Sequence, residues 1–137
     1  MIEVITDDKH RIAKWAKPKL EGNVQWANFQ AFGFERDGDL VGAVVFTEYT
    51  GNDIHVSVVT TDPCWWHRRY IKLLYEYVFD QCKCIRISAL VNEDNRKSIK
   101  LLRGLGFREE GRLRSYFNPK DGIVYGQLRS ECKWIER

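Results

Sequence analysis

At Pro63 the hydrophobic period of this chain changes. Before it, residues 27–36, 40–49 and 54–60 are rich in aromatic and β-branched side chains, and Ile54, Val56 and Val58 alternate with His55 and Ser57. A period of two marks strands with one buried face. After Pro63, residues 67–81 place Tyr70, Leu73, Leu74, Tyr77 and Val78 at helical spacing, with charge concentrated at the start.

The punctuation between these runs fixes their order. Arg36-Asp37-Gly38-Asp39 predicts a hairpin turn, and Gly51-Asn52-Asp53 predicts the turn into a third antiparallel strand. Towards the N-terminus, residues 2–5 read as a short strand, followed by a helix capped by Asp7 or Asp8 and carrying Ile12, Ala13, Trp15, Ala16 and Leu20. Pro18 ends or kinks that helix. Towards the C-terminus, residues 85–91 form an apolar strand, and residues 92–105 are helical through Ile99, Leu102 and Leu105 until Gly106. Residues 107–117 and 123–134 form a closing hairpin around Pro119-Lys120-Asp121-Gly122, where Asp-Gly is expected to supply the turn. An antiparallel meander that feeds a parallel strand–helix crossover is an α/β fold: a mixed, mostly antiparallel sheet flanked by helices. The 137 residues, 44% of them hydrophobic, suit one domain over 1–137 with no linker or repeat.

Several functional classes drop out. The +3 charge is the balance of 22 basic and 19 acidic residues, so attraction to an anion has to come from local clustering. Cys64, Cys82, Cys84 and Cys132 lack paired zinc spacing and read as reduced, mostly buried thiols. His10, His55 and His67 are scattered, which excludes a helix-borne metal site, and the glycine motifs of Rossmann and P-loop nucleotide sites are missing. No stretch approaches the roughly 20 apolar residues of a membrane span, and the N-terminus has no apolar leader core, so a cytoplasmic location is expected.

The segment Asn95-Arg96-Lys97-Ser98, then Leu105-Gly106-Phe107, then Glu110-Gly111 resembles the N-x-x-S, L-G-F, E-G signature of GCN5-related N-acetyltransferases. It is most similar to the ribosomal-protein N-terminal acetyltransferase branch. Tyr116, Asp121-Gly122 and Tyr125-Gly126-Gln127-Leu128 extend the resemblance, whereas the first half of the chain agrees only in element order. Short chains of this kind also look like acetyltransferase-like proteins of bacteriophages.

The resemblance implies acetyl-CoA as co-substrate and direct attack of an amine on its thioester. Family members cradle the pyrophosphate on R/Q-x-x-G-x-G/A, but counting back from Leu73-Leu74 puts Arg68 and Tyr70 at the glycine positions. Arg68 and Arg69 can bind phosphate directly, or simply begin a solvated helix. Of the adjacent Trp65 and Trp66, one is expected in the core and the other half-buried or lining a pocket. Asn95 and the backbone amides near Val59, Thr60 and Thr61 are expected to hold the cofactor's arm. Leu102 stands where many members have an acidic tyrosine, and the resemblance to the ribosomal-protein branch implies Ser98, the serine of N-x-x-S, as the candidate acid. Glu48, Asp53 and His55 are the candidate bases beside the cleft, each with a surface-turn reading.

The acceptor stays open between an amine of a protein and one of a small molecule. A non-catalytic scaffold, for interaction or within a virion, is the alternative that the missing glycines favour. A third reading is a nucleic-acid base modifier using Arg96, Lys97, Lys100, Arg103, Arg108, Arg112 and Arg114, although interspersed acids favour a solvated face. Monomer and homodimer are both open, the final hairpin offering an edge for pairing.

Overall fold

The computed structural model describes residues 1–21 and 24–135. Strand β1 (Ile2–Ile5) leads into helix α1 (Lys9–Ala16), which Pro18 closes in a 3-10 turn over Lys17–Lys19. Strands β2 (Phe29–Arg36) and β3 (Asp39–Thr47) form the expected hairpin, turning at Asp37-Gly38, and β4 (His55–Thr60) pairs antiparallel to β3. Helix α2 (Arg68–Glu76) runs into a π-helical turn over Tyr77–Gln81, and β5 (Arg86–Asn92) follows. Helix α3 (Arg96–Leu105), β6 (Arg108–Phe117) and β7 (Lys120–Leu128) complete the order.

The strands form one seven-stranded sheet in the order β1-β2-β3-β4-β5-β7-β6. Every neighbouring pair is antiparallel except β4 and β5. Small inward residues let α1 lie close on one face, where Ile12 and Ala16 meet Ala31, Ala43, Val45 and Val59. The other face carries larger side chains, and there α2 and α3 bury Ile71, Tyr75 and Leu102 against Phe32, Phe46, Ile87 and Val91. Both helices bury one stripe, but on α2 it runs through Tyr70, Ile71 and Tyr75, and Leu73, placed on it from the sequence, is exposed.

The closing hairpin differs from expectation. It reverses at Asn118-Pro119, and Asp121-Gly122 lies inside β7. Tertiary contacts decide this. The Asp121 carboxylate accepts from the Ser115 amide (2.8 Å) and from Arg112 (3.0 Å), stapling β7 to β6. Those donors hold the Asp121 carboxyl below the usual carboxylate range, the Ser115 amide contributing most. β7 also stops at Leu128, short of Trp134, because a 3-10 turn at Arg129–Glu131 carries the chain onto α3. There Trp134 donates its indole N–H to the Leu105 carbonyl.

None of the four cysteines is in a disulfide: Cys84 and Cys132 are buried, Cys82 half-buried and Cys64 exposed. Burial pushes the Cys84 thiol up to about 11. Among the described residues, no helix is long and apolar enough to cross a membrane.

Candidate active site

The parallel pair at the centre of the sheet is joined at one rung only. His55 lies opposite Ser88, and the Ser88 amide donates to the Ile54 carbonyl at 2.9 Å. Beyond that rung β4 and β5 diverge. Along an antiparallel strand, alternate residues direct their backbone groups to the same neighbour. The Thr61 amide donates to Val41 at 2.9 Å, so Thr61 and, by alternation, Val59 are committed to β3. Val58 and Thr60 therefore turn their backbone groups into the opening. This corrects the expectation for Val59 and Thr61 and leaves Thr60, now joined by Val58.

On the α2/α3 face the opening continues into an apolar slot lined by Val56, Val58, Trp66, Leu74, Leu102 and Leu105. Leu102 is buried there, so no phenol occupies that place. The tryptophan pair divides as expected. Trp65 is fully buried and stacks on Phe34, while Trp66 is half-buried and lines the slot.

Helix α2 starts beside the slot with His67 as its N-cap, the ring Nδ1 accepting from the Arg69 amide at 3.3 Å. Arg68 and Arg69 are both exposed. Arg68 lies over the Trp134 ring, 5.8 Å from its centroid, and Arg69 donates to the Tyr70 hydroxyl at 2.9 Å. The Tyr70 ring is in the core, edge-on to Phe34, and its hydroxyl donates to the Ile2 carbonyl, so its side chain faces away from the slot. Helix α3 begins at Asn95, whose side chain accepts from the Ser98 amide at 3.2 Å, the N-cap that the motif spacing implies. Ser98 is half-buried and one turn ahead of Leu102 on the same helix face.

The opposite face of the opening is polar. His55 Nε2 lies 3.4 Å from Asp53 Oδ2, and Asp53 Oδ1 accepts from Ser88 Oγ at 2.7 Å and Arg86 Nε at 3.4 Å. Arg86 also meets Glu110 at 2.6 Å. Glu48 stands apart from this group, exposed at a left-handed residue (φ 55°) just past β3. The sequence gives no role at this site to Arg86 or Ser88, and Glu110 enters it only as part of the E-G signature. The signal for the β5 pair was polar residues recurring on one side of a mostly apolar strand, Arg86, Ser88 and Asn92.

Three members of the basic patch face carboxylates: Arg103 meets Glu109, Arg108 meets Glu131, and Arg112 meets Glu93 and Asp121. Among the described residues no group of three or more His, Cys, Asp or Glu is placed to hold a metal ion.

Residues 3–107 match the model of the acetyltransferase (GNAT) family, so sheet and opening together are those of an acyltransferase. The chain belongs to that family, and acetyl-CoA is its co-substrate. Among solved structures, the spermidine N-acetyltransferase of Vibrio cholerae in complex with CoA and spermine superposes with a TM-score of 0.75 at 17% identity, covering 95% of this chain and 96% of that one. A variant of the same enzyme reaches a TM-score of 0.79 at 17% identity, covering 99% and 97%. Its dodecameric form gives 0.76 at 17%, covering 94% of each chain. At that identity the likeness is one of fold. No curated protein matches the sequence.

The residues fit acetyl-CoA in three places. Unpaired strand edges at Val58 and Thr60 suit an amide-bearing arm, the slot suits its apolar stretches, and two arginines stand at a helix N-terminus, where phosphate is favoured.

Proposed function

We propose that the protein transfers the acetyl group of acetyl-CoA to a primary amine by direct attack, with His55 as base and Ser98 as acid. One observation carries the reading: the sheet opens directly beyond the rung that bears His55, with an apolar slot on one face and an ionisable pair on the other. Arg68, Arg69 and the α2 amides bind the pyrophosphate. Val58 and Thr60 bond the pantetheine arm as a missing strand would. The amine enters from the α1 face and gives a proton to His55, its nitrogen bonds the acetyl carbon as the C–S bond breaks, and Ser98 protonates the departing thiolate.

Polyamines are the first acceptors to test, since spermine is bound in the similar Vibrio cholerae structure. The Asn95, Ser98 and Gly106-Phe107 motif adds the N-terminal amine of a ribosomal protein. Acetyl-CoA dependence and cysteines outside any disulfide suit a cytoplasmic site of action. A second reading, a scaffold that does not bind CoA, has one observation in its favour: the His67 ring already accepts from the Arg69 amide that a phosphate would use.

The test is CoA release from acetyl-CoA in the presence of spermidine, a lysine peptide or an N-terminal alanine peptide. Amine-dependent release should fall by roughly 100-fold in His55→Gln. Release from none of these amines, with no acetyl-CoA binding, would favour the scaffold.

A further inference from the structure

We infer that Asp53 is a positioning residue for His55 and that Arg86, Ser88 and Glu110 exist to hold Asp53; this rests on the reading of His55 as the base. Asp53 is 19% exposed and His55 46%, so the carboxylate is half-sheltered while the imidazole faces solvent. Oδ1 of Asp53 is occupied by the Ser88 hydroxyl and Arg86 Nε, and Oδ2 is the oxygen that lies within 3.4 Å of His55 Nε2. The Ser88 hydroxyl donates to Asp53 and accepts from Arg86 Nη2 at 3.0 Å, so both of its functions are used in a residue only 6% exposed. Glu110 reaches only the two terminal nitrogens of Arg86, at 3.4 and 2.6 Å, which leaves Nε for Asp53 and Ser88.

Two features of the backbone serve the same group. The β6–β7 register slips between Glu109 and Gly111, so Glu110 sits in a bulge and reaches across β7 to Arg86. Where it crosses, β7 has Gly126, and a Cβ there would overlap both Arg86 Nη2 and Glu110 Oε1. The chain of contacts thus runs from β6, over a glycine notch in β7, through β5 to the one rung that β5 shares with β4. With two carboxylates against one guanidinium, the group leaves one negative charge beside His55. A carboxylate at Nε2 selects the tautomer protonated there and leaves the Nδ1 lone pair to receive a proton from the acceptor.

The direct readout is a long-range 1H–15N spectrum of the histidine rings, with His55 assigned by its loss in His55→Gln. The expected result is an Nε2–H tautomer in the native protein and a mixture of tautomers in Asp53→Asn. Amine-dependent kcat should fall by roughly 10–100-fold in Asp53→Asn and less in Glu110→Gln, with KM for acetyl-CoA unchanged in both. Glu110→Gln also covers the case in which Asp53→Asn fails to fold, since Glu110 is 37% exposed and remote from the core. An Nδ1–H tautomer in the native protein, or a tautomer indifferent to both substitutions, would overturn the positioning role alone. The predicted tautomer together with an unchanged kcat in His55→Gln would overturn the base assignment and this role with it.

Discussion

Reversing both charges at the start of α2, as Arg68→Glu with Arg69→Glu, is expected to weaken acetyl-CoA binding by roughly 100-fold while leaving the free protein at least as stable. The binding loss follows from two charge-assisted contacts to phosphate, about 1.5 kcal/mol each, where about 1.4 kcal/mol is tenfold. The stability change has the opposite sign. No acidic residue occupies the first turn of α2, and two positive side chains there oppose the helix dipole at roughly 0.3–1 kcal/mol each. Glutamates at the same positions complement it. Calorimetric titration and thermal unfolding of one preparation separate the two effects. Lost affinity with lost stability would mean that the arginines hold the fold, and unchanged affinity would mean that phosphate binds elsewhere.

The second large effect is at Trp65, which anchors the same loop from beneath. Its ring is fully buried and stacked on Phe34 with centroids 4.2 Å apart, and it lies so close to β3 that a Cβ on Gly42 would overlap the indole nitrogen. Trp65→Ala is expected to cost about 3–5 kcal/mol, read as a Tm lowered by roughly 10–20 °C. Trp65→Phe should cost no more than about 1–2 kcal/mol, because it keeps the stacking and removes an indole N–H that is buried without an acceptor. Equal losses for the two variants would contradict packing as the source of the effect.

These two positions also show how far the sequence could be read. The order of strands and helices was legible because the period changes from two to 3.6 at Pro63 and because turn residues mark the joints. The Asn95 cap, the division of Trp65 and Trp66 into one core and one half-buried ring, and the exposed Arg68-Arg69 start of α2 follow from local spacing, whereas which tryptophan takes which place does not. The closing hairpin was misread because Asp121 serves as a cross-strand staple to Ser115 and Arg112, a tertiary role that overrides its turn propensity. The choice among Val58, Val59, Thr60 and Thr61 was not legible either. It depends on the register of β4 against β3, fixed by Thr61 on Val41, and residue types carry no trace of which neighbour a backbone amide faces. The Glu110–Arg86–Asp53 contacts join residues from three separated segments through a bulge and a glycine notch, none of which a periodic pattern records.

The central claim is that the gap between β4 and β5 receives the acetyl-CoA arm, and amide NMR during a titration with acetyl-CoA tests it most directly. Val58 and Thr60 should move on binding, with Val59 and Thr61, bonded to β3, moving least among their neighbours. No shift in β4 at millimolar acetyl-CoA, or shifts confined to another part of the sheet, would contradict the assignment of the opening as the donor site.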